Sequence, residues 1–256
     1  MLTRQYSEES TADESVKHTD VTTLAKTFAD DGIVQIKSIL SENLVHKATD
    51  WLNDIIKMGS KIPKGFEPEF EAEQHDNQIA VRKLRRLYWN DPLFWKELIT
   101  RAQIDTIAKS LVGNPVSLVF HAAFLKPSHV GSSVVLHQDQ ALWSYEYSKA
   151  VSIWIALSQV DEENGGLMGC LASHQRGLIQ HTKIPGHSWH AGIDWREQKL
   201  PEPNVYKLQP GDALAWDRYY VHGSGENNSG RDRRAFVLVF VDRTAPNFLS
   251  KDRADF

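Results

Sequence analysis

Cysteine is almost missing from this chain. Cys170 stands alone among 256 residues, which rules out a disulfide framework within the chain and any cysteine-based zinc site. Long apolar runs are missing too. None reaches the roughly 20 residues of a bilayer span, and the amino terminus has no signal-peptide core, so the expected setting is a reducing cytoplasm with no membrane partner. Positive charge is not in excess: 29 Lys and Arg against 33 Asp and Glu leave a net charge of −4 and a pI near 6.3. No basic field is left to attract nucleic acid. No internal repeat is visible. What remains is a globular composition, 41% hydrophobic and 24% charged, long enough for one large domain or two small ones.

Residues 1–18 are Ser, Glu, Thr and Asp with little that is apolar, and read as a flexible tail ahead of a single domain over 19–256. Leu24, Ala25 and Phe28 form a short helical stripe ended by Asp30-Asp31-Gly32, and Gly32-Ile33-Val34-Gln35-Ile36 reads as a strand. Ser41 opens a second helix whose apolar residues, Leu44 to Ile56, recur at helical spacing. Residues 59–79 read as an exposed loop. Arg82-Lys83-Leu84-Arg85-Arg86 is a basic run, either a solvated face or the entrance to a pocket for an anionic substrate. Asp91-Pro92 begins a helix, and Ile104 to Val112 continues the pattern until Gly113-Asn114-Pro115.

After Pro115 the texture becomes β. Strands are predicted at 116–125, 133–139, 151–157, 167–171, 205–208, 213–216 and 235–241. Between them, 174–203 is a long irregular stretch holding His181, His187, Trp189, His190 and Trp195, and a loop of that length reads as a functional insert or lid. Short strands with helices gathered at the front describe a mainly β fold, a jelly-roll barrel with N-terminal helical support.

Within the strand Val134-Val135-Leu136-His137-Gln138-Asp139, His137 and Asp139 lie two apart and project from one face. A buried carboxylate must be paired or bound to metal. By itself the pattern fits a hydrogen-bonded pair at a turn as well as two metal ligands. His18-Thr19-Asp20 repeats it in the polar leader, where Asp20 suits a helix N-cap. A third ligand from a distant strand would decide the matter, and His222, between Val221 and Gly223-Ser224, is placed to supply it. Two His and one carboxylate occupy one face of an octahedron and leave three positions open, which points to non-haem Fe(II). Beyond it, Arg231, Arg233 and Arg234 run into the apolar strand from Ala235 to Phe240. Alternation sets Arg233 with Ala235 and Val237, and Arg234 with Phe236 and Leu238. A buried arginine needs an anion, and its fork suits a carboxylate. A bound dicarboxylate fits; so does a sheet-edge pairing with Asp217 or Asp232.

Taken in order, His137-Gln138-Asp139, Trp154-Ile155-Ala156-Leu157, Glu163-Asn164-Gly165-Gly166-Leu167, Ala172-Ser173-His174, Gly211-Asp212 and His222-Gly223-Ser224-Gly225-Glu226-Asn227 with Arg233 resemble the phytanoyl-CoA 2-hydroxylase-like family of Fe(II)/2-oxoglutarate-dependent dioxygenases, from about Phe28 to Phe240. The resemblance implies a double-stranded β-helix, with His137, Asp139 and His222 as iron ligands and O2 as oxidant. It also implies Arg233, eleven residues past His222, on the 5-carboxylate of 2-oxoglutarate. Ser224 would hydrogen-bond the same carboxylate and Trp154 would flank the cosubstrate. The family's Lys126-Pro127 feature is present without an assigned role. Because Asp139 is kept where related halogenases have Ala or Gly, the resemblance implies hydroxylation of a small-molecule metabolite, natural-product intermediates included, with release of succinate and CO2; desaturation, epoxidation and ring closure use the same oxidant and stay open. Trp143, Tyr145, His121 and Trp189 are candidate substrate residues; as a lone histidine on a strand, His121 also reads as a satisfied core residue. The competing readings are a cupin-type metal enzyme without 2-oxoglutarate, which has no use for Arg233, and a catalytically silent binding barrel, which has no reason to keep all four site residues.

Overall fold

The computed structural model describes residues 20–71, 80–185, 191–244 and 253–256. The tail 1–18 and Trp189, with His187 and His190, lie outside the described residues. The described residues form five α-helices: α1 (Val21–Asp31), α2 (Glu42–Ile56), α3 (Leu87–Asn90), α4 (Pro92–Arg101) and α5 (Ile104–Val112). Their ends follow local chemistry. Asp20 caps α1 by accepting the Thr22 N–H, Ser41 caps α2 through Leu44 N–H, and Asp91 caps α4 through Phe94 N–H with Pro92 in the first turn. Gly32 closes α1 at φ 77°, a left-handed conformation that glycine adopts without strain.

Among the described residues, twelve strands form two antiparallel sheets: β1 (Ile33–Ile36), β2 (Glu69–Phe70), β3 (Val81–Arg85), β4 (Val116–Lys126), β5 (Val134–His137), β6 (Ala150–Ala156), β7 (Leu167–Gly169), β8 (Asn204–Val205), β9 (Ala213–Asp217), β10 (His222–Ser224), β11 (Arg233–Asp242) and β12 (Ala254–Asp255). The large sheet runs β1-β9-β6-β11-β4-β3-β2, with β12 on β4; the small one runs β5-β10-β7-β8. Mainly β, cupin-like and backed by N-terminal helices, the fold is the expected double-stranded β-helix.

Alternation along the large sheet sorts its side chains into two cores. Ile153, Ile155, Phe236, Leu238 and Phe240 face the helices and pack with Trp51, Trp95 and Leu98. Trp154, Ala156, Leu214, Trp216, Ala235, Val237 and Val239 face inward, between the sheets. A third cluster, Leu136, Cys170, Ile179, Ile193, Leu200 and Val221, covers the outer side of the small sheet.

Three expectations are corrected. The stretch 59–79 is not simply an exposed loop: Ile62 and Phe66 are buried, because two short 3-10 turns tuck them under α2 and α4. The basic run is mostly strand β3, paired with β4, and is not a solvated face; Glu69 neutralises Arg82 and Arg85. The strand reaching Asp139 ends at His137, and Asp139 opens a 3-10 turn, Asp139–Leu142. Gln138 stays extended (φ −113°, ψ 134°), so the two side chains still share a face.

Candidate metal and anion site

His137 ends β5 and lies opposite His222, the first residue of β10, in the strand register. Their ring centroids are 4.4 Å apart. The close pairing depends on the residue between His222 and Ser224: a Cβ on Gly223 would come within 2.6 Å of Val134 O. Asp139 Oδ1 lies 3.7 Å from His137 Nε2 and 3.6 Å from His222 Nε2. One ligand atom from each of the three lies within 4.8 Å of the others, a cluster that can hold a metal ion, and both histidines are buried.

Each of these groups is aimed by a second contact. His137 Nδ1 lies 2.9 Å from Val135 O and His222 Nδ1 lies 3.0 Å from Tyr220 O. These contacts aim each ring so that its Nε2 is the nitrogen turned toward the shared point, where a metal would take its lone pair. Ser152 Oγ donates to Asp139 Oδ2 at 2.6 Å, and Trp216 Nε1 donates to the same oxygen at 3.0 Å. Both donors come from the inner face of the large sheet, so the carboxylate spans the gap between the sheets with one oxygen spoken for. Burial raises the Asp139 pKa, but the His222 charge and the His137 and Ser152 hydrogen bonds outweigh it and hold the group well below the usual carboxylate range.

Arg233, also on the inner face, is 4% exposed and has no carboxylate partner among the described residues; its Nε is buried without a hydrogen bond. Desolvation pushes its pKa down to about 9. The alternatives open at its neighbours are closed: Arg231 pairs with Asp161, and Arg234 with Asp232 and Asn53. Trp154 lies across from Val237 in the register, its ring 5.3 Å beneath the Arg233 guanidinium. Ser224 is buried and lies two residues from His222 on β10. A buried guanidinium left without an anion is costly by several kcal/mol, of order ~3 or more. The donor set and this orphaned cation therefore fit a ferrous ion with a dicarboxylate beside it.

Of the candidate substrate residues, Trp143 packs against the inner core and meets Tyr147 edge-on at 5.5 Å. Tyr145 is exposed. His121 is not brought to the site. It faces the helical layer, its Nδ1 accepting the Tyr88 N–H at 3.0 Å between the Tyr88 and Trp89 rings. Besides Ser152 and Trp216, two more residues escaped the sequence reading. Gln138, between two of the clustered side chains, points away and donates to Gly177 O and Tyr219 O, accepts from Ile179 N–H, and gives its own N–H to His181 Nε2. These bonds pin the start of the 174–203 insert to the outer sheet face. Lys83, inside the basic run, places its ammonium 4.6 Å from the Phe124 ring and 5.6 Å from Phe120, both lining the inner core. Burial and then Arg85 push it down to about 8, while Glu69 and Asp139 pull the other way. The run's length and sign were visible; which member turns inward depends on the strand register.

The family model described as phytanoyl-CoA dioxygenase (PhyH) matches residues 28–235. The chain belongs to the phytanoyl-CoA dioxygenase family. It is 25% identical over 236 residues to an L-proline trans-4-hydroxylase of Streptomyces griseoviridis, covering 84% of each chain. It is 30% identical over 215 residues to a methylphosphonate hydroxylase of Gimesia maris (strain ATCC 29201 / DSM 8797 / 534-30), covering 82% of this chain and 76% of that one. Among solved structures, the epimerase SnoN in complex with Fe3+, alpha ketoglutarate and nogalamycin RO superposes with a TM-score of 0.67 at 19% identity, over 88% of this chain and 84% of that one. Its sequence identity is low, so that likeness speaks to fold. As a phytanoyl-CoA dioxygenase family member, the chain is a non-haem iron, 2-oxoglutarate-dependent oxygenase. No helix among its described residues is long and apolar enough to cross a membrane.

Proposed function

We propose that this chain hydroxylates a small molecule, with His137, Asp139 and His222 holding Fe(II) and Arg233 holding the distal carboxylate of 2-oxoglutarate. The observation that carries this reading is the buried guanidinium of Arg233, without an acidic partner among the described residues, on the inner face that also presents the His-Asp-His cluster. A metal enzyme with no dicarboxylate to bind would leave that cation uncompensated. Bound here, Fe(II) with 2-oxoglutarate and O2 supplies the oxidising chemistry that places one oxygen atom in a substrate C–H bond and yields succinate and CO2.

The protein's share is placement. The Nδ1 contacts of His137 and His222 hold both rings with Nε2 forward, and Ser152 with Trp216 turns Asp139 Oδ1 toward them. Arg233 grips one end of the cosubstrate, Ser224 adds a hydroxyl and the Trp154 face forms a wall. Lys83 adds a second positive charge toward any anion on the inner face. Trp143 and Tyr145, carried on the turn after Asp139, border the substrate's approach, and the compounds named in the hydroxylase relatives (proline, methylphosphonate) set the scale of substrate to try first. Anaerobic addition of Fe(II) and 2-oxoglutarate should produce a weak visible charge-transfer band, and a panel of small acids and natural-product intermediates should give substrate-dependent succinate release. A folded protein that binds metal but gives neither signal sinks the reading.

A further inference from the structure

One buried cation takes no part in the scheme above. Lys126, the last residue of β4, lies opposite Arg233 in the β4–β11 register and is 2% exposed. Its Nζ donates to Ser132 O and to Gly225 O, each at 2.5 Å. No carboxylate lies within ion-pair distance of it among the described residues. The stem is threaded between two glycines: a Cβ on Gly165 would lie 2.6 Å from Lys126 Cδ, and one on Gly131 would lie 2.6 Å from Lys126 Cβ. Asn227 Nδ2 donates to Lys126 O, and Ser132 N–H donates to Glu71 Oε1. Three sequence landmarks, Lys126-Pro127, the Asn164-Gly165-Gly166 turn and the run from His222 to Asn227, therefore converge on one amine.

The clamp has a definite place. Ser132 leads into β5 and Gly225 leads out of β10, so Lys126 ties the strand pair at its Ser224–Val134 end, while the His222–His137 pair lies at the other. We propose that Lys126 is a positioning residue for the cosubstrate end of the site: paired with Arg233 in register and pinning the carbonyls of Ser132 and Gly225, it fixes the backbone next to Ser224 for the distal carboxylate that Arg233 would bind. This rests on the iron and 2-oxoglutarate reading above. Burial, then the Arg233 charge, push the Lys126 ammonium well below the usual lysine range. The clamp survives either protonation state, since a neutral amine still donates to two carbonyls.

Lys126→Met tests it, because methionine keeps an unbranched stem and removes every donor. Three bindings are compared in wild type and variant: Fe(II) alone by calorimetry, and 2-oxoglutarate and pyruvate on the anaerobic Fe(II) protein by the charge-transfer band. Pyruvate has the chelating 2-oxo acid but no distal carboxylate. The expected result is 2-oxoglutarate binding weakened about tenfold or more, with iron and pyruvate binding nearly unchanged. Undiminished 2-oxoglutarate affinity in a folded variant overturns the proposal, as does an equal loss for all three. Should Lys126→Met fail to fold, Lys126→Gln, which keeps one donor, should give an intermediate loss confined to 2-oxoglutarate. Failure of both to fold makes Lys126 a general structural residue and also overturns it. A wild-type protein that gives no band with 2-oxoglutarate instead removes the reading on which the inference stands.

Discussion

Asp139 holds one oxygen toward the two histidines because the other is held back by Ser152 and Trp216. Trp216 also lies against His222, ring centroids 4.5 Å apart, so one side chain steadies two members of the cluster. Trp216→Phe should keep the ring contact and lose the N–H. Fe(II) affinity is expected to fall about tenfold, the lower end for an outer partner of a metal ligand, and Ser152→Ala should do the same; unchanged Fe(II) titrations in both would remove the orienting role. At the other end, Arg233→Ala should raise the 2-oxoglutarate requirement about a hundredfold, the loss of a bidentate charged pair, while Fe(II) binding in the same preparation stays nearly constant. Parallel loss of both would place Arg233 in the fold and not on the cosubstrate. His137, Asp139, His222 and Arg233 were legible as a set in the sequence because a ligand spacing and a polar residue in an apolar strand both leave marks. Ser152 and Trp216 were not, since a Ser and a Trp within apolar strands look like ordinary core until the sheet register sets them over Asp139.

The strands were largely legible from their apolar texture, and β11 shows why: Arg233 and Arg234 face opposite sides, as alternation requires, one toward the site and one toward Asn53 and Asp232. β3 was hidden because charge masked its period. Its Val81 and Leu84 are the buried residues among Arg82, Lys83 and Arg85. The contact between β4 and the start of α3 was hidden as well, since it rests on His121 and the backbone of Tyr88, 33 residues apart. That contact makes a pH prediction. Burial, then the Arg86 charge, lower His121 to about 3 from its ordinary 6.5, so the folded protein keeps the ring neutral. The unfolded chain takes up the proton first. The stabilisation from this residue is complete above about pH 6.5 and is lost as pH falls toward 3, with a slope approaching about 1.4 kcal/mol per pH unit. His121→Gln keeps an acceptor for Tyr88 N–H and does not titrate. Urea unfolding between pH 7 and 4.5 should therefore show a shallower acid decline for the variant than for wild type; parallel profiles would refute the assignment.

The molecule as a whole is two sheets whose inner faces meet at a few polar groups. His137 and Asp139 sit at the end of β5, His222 comes from β10, and Arg233 with Ser152 and Trp216 comes from the large sheet. Ions bound among them bridge segments far apart in the chain and touch none of these arrangements in the unfolded state. Ligand binding should then appear as stability. At a concentration about a hundred times the dissociation constant, a ligand adds about 2.7 kcal/mol, which for a chain of this length raises Tm by roughly 5 to 10 °C. The order of addition matters. Mn(II) or Fe(II) under anaerobic conditions should raise Tm without 2-oxoglutarate, since on the proposed reading His137, Asp139 and His222 hold the metal by themselves. 2-Oxoglutarate should add a second increment only after metal, because on the proposed reading Arg233 and Ser224 would grip only one end of the molecule. In Arg233→Ala the first increment should persist and the second should shrink, and a chelator should abolish both. Stabilisation by 2-oxoglutarate that needs no metal, or a metal increment that survives Asp139→Ala, would show that the two sheets do not meet around a single ion and its cosubstrate.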